Sequence, residues 1–282
     1  MPKSAKAPDR FPLTMEDLRI GCSSWTSDAW WDRVYPRIIS DGERLPWYAR
    51  HFDCVEVDST YYRAPARGTV SSWRTRTPPN FLFTLKLTRD LLDPSSPLDP
   101  ERLASFLTTA RGLEEKLGPI LLQFPPWLKP GRTEKFLQDL LGRLDPSLRY
   151  ALEVRDRGWF QGEPLRWLLR ELSDRRIALT WSYLTYVEVP AEVTSDLLYL
   201  RFIGDHSTIP TETHGEVRVD RTPQVRLWAD RLRAVADRVE RALVFFNNHF
   251  AGFAPDSVNL FRQEMGLEPI RYAPGPVQTR LD

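Results

Sequence analysis

Cysteine, histidine and asparagine are all scarce in these 282 residues, with two, four and four copies. Cys22 and Cys54 each lie inside a strand-like apolar run, which fits reduced core residues better than a disulfide framework or a thiolate zinc site. No H-x-x-H, C-x-x-C or H-E-x-x-H spacing occurs, so the sequence offers no metal motif. Long hydrophobic runs are missing too. No stretch of about 18 uncharged apolar residues is present, and MPKSAKAPDRFPLT has no apolar leader core, so no membrane partner and a cytoplasmic location are expected. Charge of one sign is equally lacking. Lys plus Arg number 39 against 38 for Asp plus Glu, which leaves no global positive field for a polyanion and makes nucleic acid a minority alternative. Arginine outnumbers lysine 33 to 6, a bias that either genome composition or growth at high temperature would produce.

What the chain does contain is an alternation of two periods. Short apolar runs bounded by turn residues recur at RIGCSSW, CVEVDST, FLFTLKL, PILLQFP, YALEVRD, IALTWSY, LLYLRFIG and ALVFFNN. Helical stripes lie between them. In DPERLASFLTTARGLEEKLG the apolar positions Leu103, Phe106, Leu107, Ala110, Leu113 and Leu117 share one face, with Asp99 placed as N-cap, Pro100 as first helical residue and Gly118 as stop. Further helices are expected at TEKFLQDLLGRL, EPLRWLLRELSDRR and TPQVRLWADRLRAVADRVER. Strand–helix alternation implies a parallel sheet, and eight strands in roughly 250 residues match a closed (β/α)₈ TIM barrel. An open doubly wound sheet fits less well, since no G-x-G-x-x-G turn follows the first strand. The expected organisation is an α/β barrel over residues 18–272, with tails at 1–17 and 273–282.

CVEVDSTYY places two carboxylates in a strand that otherwise looks buried. Residues two apart share a face, so Val55 and Val57 should face the helices while Glu56 and Asp58 face the barrel interior near its C-terminal mouth, where barrel enzymes keep their chemistry. The same parity selects Lys86, Gln123, Glu153, Arg155, Arg201 and Asn247, with His249 just beyond. Trp25, Tyr61, Trp159 and Trp181 are read as platforms for a ring-shaped ligand, and Trp30, Trp47, Trp73, Trp167 and Trp228 as packing. His249 is the best acid/base histidine. The competing structural reading makes Lys86–Glu56 and Glu153–Arg201 ion pairs that plug the pore. No cofactor is expected; a divalent metal is a lesser alternative, with Glu56, Asp58, Glu153 and His249 as its oxygen-rich ligands.

At these residues the sequence resembles the YecE-like family, domain of unknown function seventy-two. IGCSSW, YARHFDCVEVDSTYYR, FLFTLKL, LLQFPP, ALEVRDRGWF and FNNHFAGFAP carry the resemblance, in order, along nearly the whole chain. It implies a TIM barrel and no settled activity. Ser24 stands where the family motif has glycine, Asp58 where asparagine is frequent, and Ile203 where a histidine often follows the strand-seven arginine. Glu56, Lys86, Glu153, Arg155, Arg201 and Asn247 match.

The expected function is an enzyme of hydrolase or lyase type, acting on a small polar or anionic molecule such as a sugar or phosphorylated compound. Glu153 or Glu56 would serve as general acid/base and Lys86 would stabilise negative charge. Asp58, Gln123, Arg155, Arg201, Asn247, His249 and the four aromatics would bind substrate. A nucleic-acid-processing protein and a non-catalytic ligand-binding barrel are the alternatives. Glu153 is expected in an open, solvated pocket, so that Glu153→Gln would melt near the parent temperature.

Overall fold

Eight strands, all parallel, run around one axis in the order β3-β2-β1-β8-β7-β6-β5-β4. They are β1 (Leu18–Ser23), β2 (Cys54–Val57), β3 (Leu82–Leu85), β4 (Ile120–Gln123), β5 (Tyr150–Glu153), β6 (Ala178–Leu184), β7 (Leu197–Gly204) and β8 (Arg241–Phe246). This computed structural model describes residues 17–272 apart from Arg132 and His206; the tails expected at 1–17 and 273–282 lie outside the described residues, Asp17 excepted. The ring is nearly closed between β3 and β4 by two bridges, Phe83 to Leu117 and Lys86 to Leu121. At this seam Gly118 N donates to Phe83 O at 2.8 Å and Leu87 N to Leu121 O at 3.0 Å.

The connecting helices are α1 (Arg44–Tyr48), α2 (Arg67–Thr75), α3 (Pro100–Ala110), α4 (Glu134–Gly142), α5 (Gly162–Asp174), α6 (Thr222–Arg233), α7 (Asn248–Ala251) and α8 (Ala254–Glu264). Helix α3 begins as its sequence requires: the Asp99 carboxylate accepts from Glu101 N and Arg102 N, both at 3.0 Å, with Pro100 in the first turn. Its end differs from the expectation. The α-helix stops at Ala110 and a 3₁₀ segment continues through Lys116, with Glu114 at φ 53°. There the buried Lys116 ammonium donates to Arg74 O and Thr77 O at 2.5 and 2.7 Å, at the C-terminal end of α2, and so ties the segment to that helix. Gly118 is not a helix stop but a seam residue, since a Cβ there would stand 3.2 Å from Phe83 O.

Two separate apolar layers follow from the period-2 alternation of the strands. Val55, Val57, Leu122, Leu152, Trp181, Leu200 and Val244 join the large core beneath the helices. Cys54, Leu82, Leu121, Ala151, Ala178, Leu197, Tyr199, Leu243 and Phe245 form a second cluster inside the barrel. Small residues at Cys54, Ala151 and Ala178 leave room for the rings of Tyr199 and Phe245, whose centroids are 5.2 Å apart. The barrel floor is therefore a packed, largely apolar plug, and the charged groups lie at the level above it. Among the described residues no helix is long and apolar enough to cross a membrane.

Candidate functional site

Advancing two residues from the interior apolar layer reaches the C-terminal ends of the strands, where the sequence changes from apolar to charged. Cys54 gives way to Glu56, Leu121 to Gln123, Ala151 to Glu153 and Tyr199 to Arg201. The geometry binds these into one network. Arg201 grips Glu56 in fork fashion, Nε to Oε2 at 2.8 Å and Nη2 to Oε1 at 2.7 Å, and its Nη1 donates to Glu153 Oε2 at 2.5 Å and to Gln123 Oε1 at 3.1 Å. Lys86 Nζ donates to Gln123 Oε1 at 2.9 Å and stands 2.5 Å from Asp58 Oδ1 and 3.6 Å from Glu56 Oε1. Arg155 Nε donates to Glu153 Oε1. Hydroxyls complete the acids: Ser23 and Tyr199 donate to Glu56 at 2.9 and 2.7 Å, and Ser182 donates to Glu153 at 2.7 Å.

Burial divides this network into two tiers. Glu56, Glu153 and Arg201 are 0, 1 and 2% exposed. Lys86 and Gln123 are the junction, and Asp58 and Arg155, with side chains 32 and 16% exposed, form the rim. Burial by itself would raise the Glu56 carboxyl, but Arg201 and Lys86, with hydrogen bonds from Arg201 and Tyr199, outweigh it and hold the group well below the usual carboxylate range. The same contest at Glu153, between burial and the cations Arg155 and Arg201, also ends far below that range. For Arg201, burial opposes the charge while Glu153 and Glu56 favour it, and the guanidinium is pushed well above its ordinary value. All three groups are thus permanently charged at neutral pH, and every oxygen of the two glutamates is occupied. The solvated pocket expected around Glu153 is not what the structure shows. The pairs Lys86–Glu56 and Glu153–Arg201, read from sequence as a pore plug, are both present.

The aromatic candidates separate in the same way. Tyr61 is half-buried at the rim, edge-on to the exposed Tyr62 at 5.4 Å; burial raises its phenol while the charge of Arg155 opposes the rise. Trp25 is half-buried above β1 and edge-on to Trp73 at 5.7 Å. Trp159 and Trp181 are corrected: neither lines the mouth. Trp159 is sealed in the outer core and gives its indole N–H to Leu128 O at 2.8 Å. Trp181 has the parity of Leu200, so it faces the helices, meets Trp228 at 5.8 Å and donates to Glu192 O at 2.8 Å. Both indoles behave as buried amphipathic side chains with one satisfied donor.

Asn247 and His249 also turn to local structure. The Asn247 side chain caps α7 by accepting from His249 N at 3.0 Å. The His249 ring is buried, and its Nδ1 lies 2.6 Å from Ile209 O and 3.3 Å from His214 Nε2, which ties the loop after β7 to α7. Gly204, at φ 74°, permits this contact, since a Cβ there would meet His249 O at 2.1 Å. His206 lies outside the described residues. Among the described residues no three of His, Cys, Asp and Glu are grouped to hold a metal ion, and Glu56 and Glu153 both turn to Arg201 instead.

Sequence reasoning missed Ser23, Ser182, Tyr199 and Tyr186. The first three share the inward parity of the charged residues, so extending the alternation to hydroxyl side chains finds them. Tyr186 is more than half exposed and lies beside Arg155 from the loop after β6, a contact with no periodic signal.

Comparison with known proteins matches this chain to a family. The family model described as "Protein of unknown function DUF72" matches residues 19–280. The UPF0759 protein YecE of Escherichia coli (strain K12) is 32% identical over 162 residues, 57% of this chain and 57% of that protein. The UPF0759 protein YunF of Bacillus subtilis (strain 168) is 28% identical over 151 residues, 51% of this chain and 52% of that one. The matches thus span a little over half the length of these curated relatives. The crystal structure of a DUF72 family protein from Thermotoga maritima superposes with a TM-score of 0.74 at 23% identity, covering 88% of this chain and 99% of that chain. One from Enterococcus faecalis V583 gives 0.72 at 21% identity, covering 92 and 100%.

Proposed function

We propose a function for this chain, which belongs to the DUF72 family, from the two tiers of its barrel mouth: it is an enzyme that acts by acid/base chemistry on a small polar or anionic molecule. The observation that carries this reading is the convergence of six charged side chains, Glu56, Asp58, Lys86, Glu153, Arg155 and Arg201, into one continuous network at the C-terminal ends of the strands. A pore plug requires only the sealed tier. The rim tier spends charge where it meets solvent, which a plug does not need.

The roles differ from those assigned by spacing alone. Glu56 and Glu153 are sealed and saturated, so they act by holding Arg201, Lys86 and Arg155 in place. Lys86 stabilises negative charge that develops on the ligand and supplies a proton. Asp58, the one partly exposed carboxylate of the six, takes a proton from the ligand while Lys86 gives one to it, and the 2.5 Å contact between the two lets Asp58 pass its proton to Lys86 and restores both. Arg155, braced by Glu153 and Tyr186, fixes the ligand's charged end.

The test is a thermal-shift screen of a broad metabolite panel, followed by crystallography and turnover assays on every hit. A ligand seated between Lys86 and Arg155 and converted by the parent, but not by Lys86→Gln or Asp58→Asn, is the expected result. Conversion unchanged in Asp58→Asn removes Asp58 as base. Binding without conversion replaces the enzyme with a ligand-binding barrel, and hits seated elsewhere refute the site.

A further inference from the structure

Gln123 is the only uncharged member of the junction, and its contacts leave it one orientation. Its Oε1 accepts from Lys86 Nζ at 2.9 Å and from Arg201 Nη1 at 3.1 Å. Ammonium and guanidinium groups have no acceptor, so turning the carboxamide over would set its NH₂ against two cations. The oxygen therefore has to point inward, whatever occupies the mouth. No described residue accepts from Nε2, and this nitrogen is not among the sealed, unpartnered polar atoms of the protein. The residue is nonetheless 92% buried (8% exposed), so its position is set by the barrel and not by solvent.

Three acids and three cations make the whole network neutral, and its net charge selects nothing. Selection falls to the atoms presented at the rim. Glu56 and Glu153 present none, because their oxygens are taken by Arg201, Arg155, Ser23, Tyr199 and Ser182. Arg155 at the rim and Lys86 just beneath it bring two positive charges against the one negative charge of Asp58.

We propose that Gln123 is a specificity-determining residue whose locked NH₂ group, together with Lys86 and Arg155, forms a three-donor cradle for an oxyanion, the carboxylate or phosphate of the ligand. This deepens the reading that the ligand binds at the barrel mouth and rests on it. The bland alternative, an amide that merely fills space between two cations, requires the oxygen alone. The donor half is what makes the group useful to a ligand rich in acceptors and repellent to a ligand that offers only donors.

The experiment titrates the full chain with inorganic phosphate and with acetate, choline serving as a cationic control, while the side-chain amide resonances of ¹⁵N-labelled protein are followed. The Gln123 NH₂ signals are expected to shift with one anion or both, and not with choline; the anion that acts at the lower concentration names the source. Gln123→Met removes the donor without adding charge and is expected to weaken that anion at least tenfold. Gln123→Glu gives Lys86 and Arg201 a carboxylate, so it should melt no lower than the parent while binding the anion still more weakly. Unmoved Gln123 resonances, or parental affinity in Gln123→Met, overturn the proposal. Failure of the mouth reading looks different: the metabolite screen then yields no ligand at this site, whereas failure of the cradle alone leaves mouth ligands that are neutral or cationic.

Discussion

Arg201 and Glu56 meet across the barrel interior through two parallel hydrogen bonds, at 2.8 and 2.7 Å, with both side chains sealed from solvent. The pair joins β2 to β7, strands that are not neighbours in the sheet. It is a brace through the pore as well as the floor of the candidate site. Replacing Arg201 by methionine strands two ionised glutamates, and breaking a buried pair this way costs about 3 to 5 kcal/mol. Denaturant unfolding of Arg201→Met should show a loss of that order. A loss below about 1 kcal/mol would mean that water reaches the acids.

Glu153→Gln is expected to destabilise the protein, contrary to the sequence-based expectation of a parental melting temperature. The side chain is 1% exposed and neutralising it leaves Arg155 and Arg201 each short of a partner. Asp58→Asn provides the contrast at the rim: its side chain is 32% exposed, although the Oδ1 that faces Lys86 is itself sealed, and it should cost clearly less than Glu153→Gln. Melting the two variants side by side checks the division into tiers; equal losses would dissolve it.

Acid should weaken the fold through Glu56 and Glu153. Both folded-state values lie below the ordinary glutamate range, so the unfolded chain binds protons first as pH falls. The Glu56 contribution is complete above the unfolded value near 4.3 and is lost on the way down to about 2, while that of Glu153 is lost over a range that extends further down. Melting temperature should therefore hardly depend on these two groups above about pH 5 and fall steeply below it. Glu56→Gln, already destabilised, should show a shallower acid limb; an identical slope would remove Glu56 as a source of the pH dependence.

Ser24 adopts φ 89°, a conformation that favours glycine, immediately after β1 at the mouth. Its hydroxyl partly compensates by accepting from Thr26 N at 3.1 Å. Ser24→Gly relieves the strain and loses this bond, so a net gain of up to about 1 kcal/mol is expected. Thermal melts check the sign. A loss would show that the hydroxyl contact outweighs the backbone preference.

The alternation of apolar runs and helical stripes was enough, by itself, to establish the eight strands and the parallel barrel, because secondary-structure period and layer packing are local properties repeated along the chain. Strand parity also placed Glu56, Lys86, Gln123, Glu153 and Arg201 on one side, and family motifs singled out most of the same residues. Parity says which face a side chain takes, not how deep it lies or what it meets there. Only the closed barrel decided that Arg201 lies between Glu56 and Glu153, that these acids are saturated while Asp58 and Arg155 reach solvent, and that Gln123 must turn its oxygen inward. Trp181 shows the limit most plainly: an aromatic near the end of strand six was read as a platform at the mouth, but adjacent residues of a strand face opposite ways, and the indole belongs to the helix layer. Depth, pairing and solvent access depend on eight segments distant in sequence meeting around one axis, and no single segment carries that information.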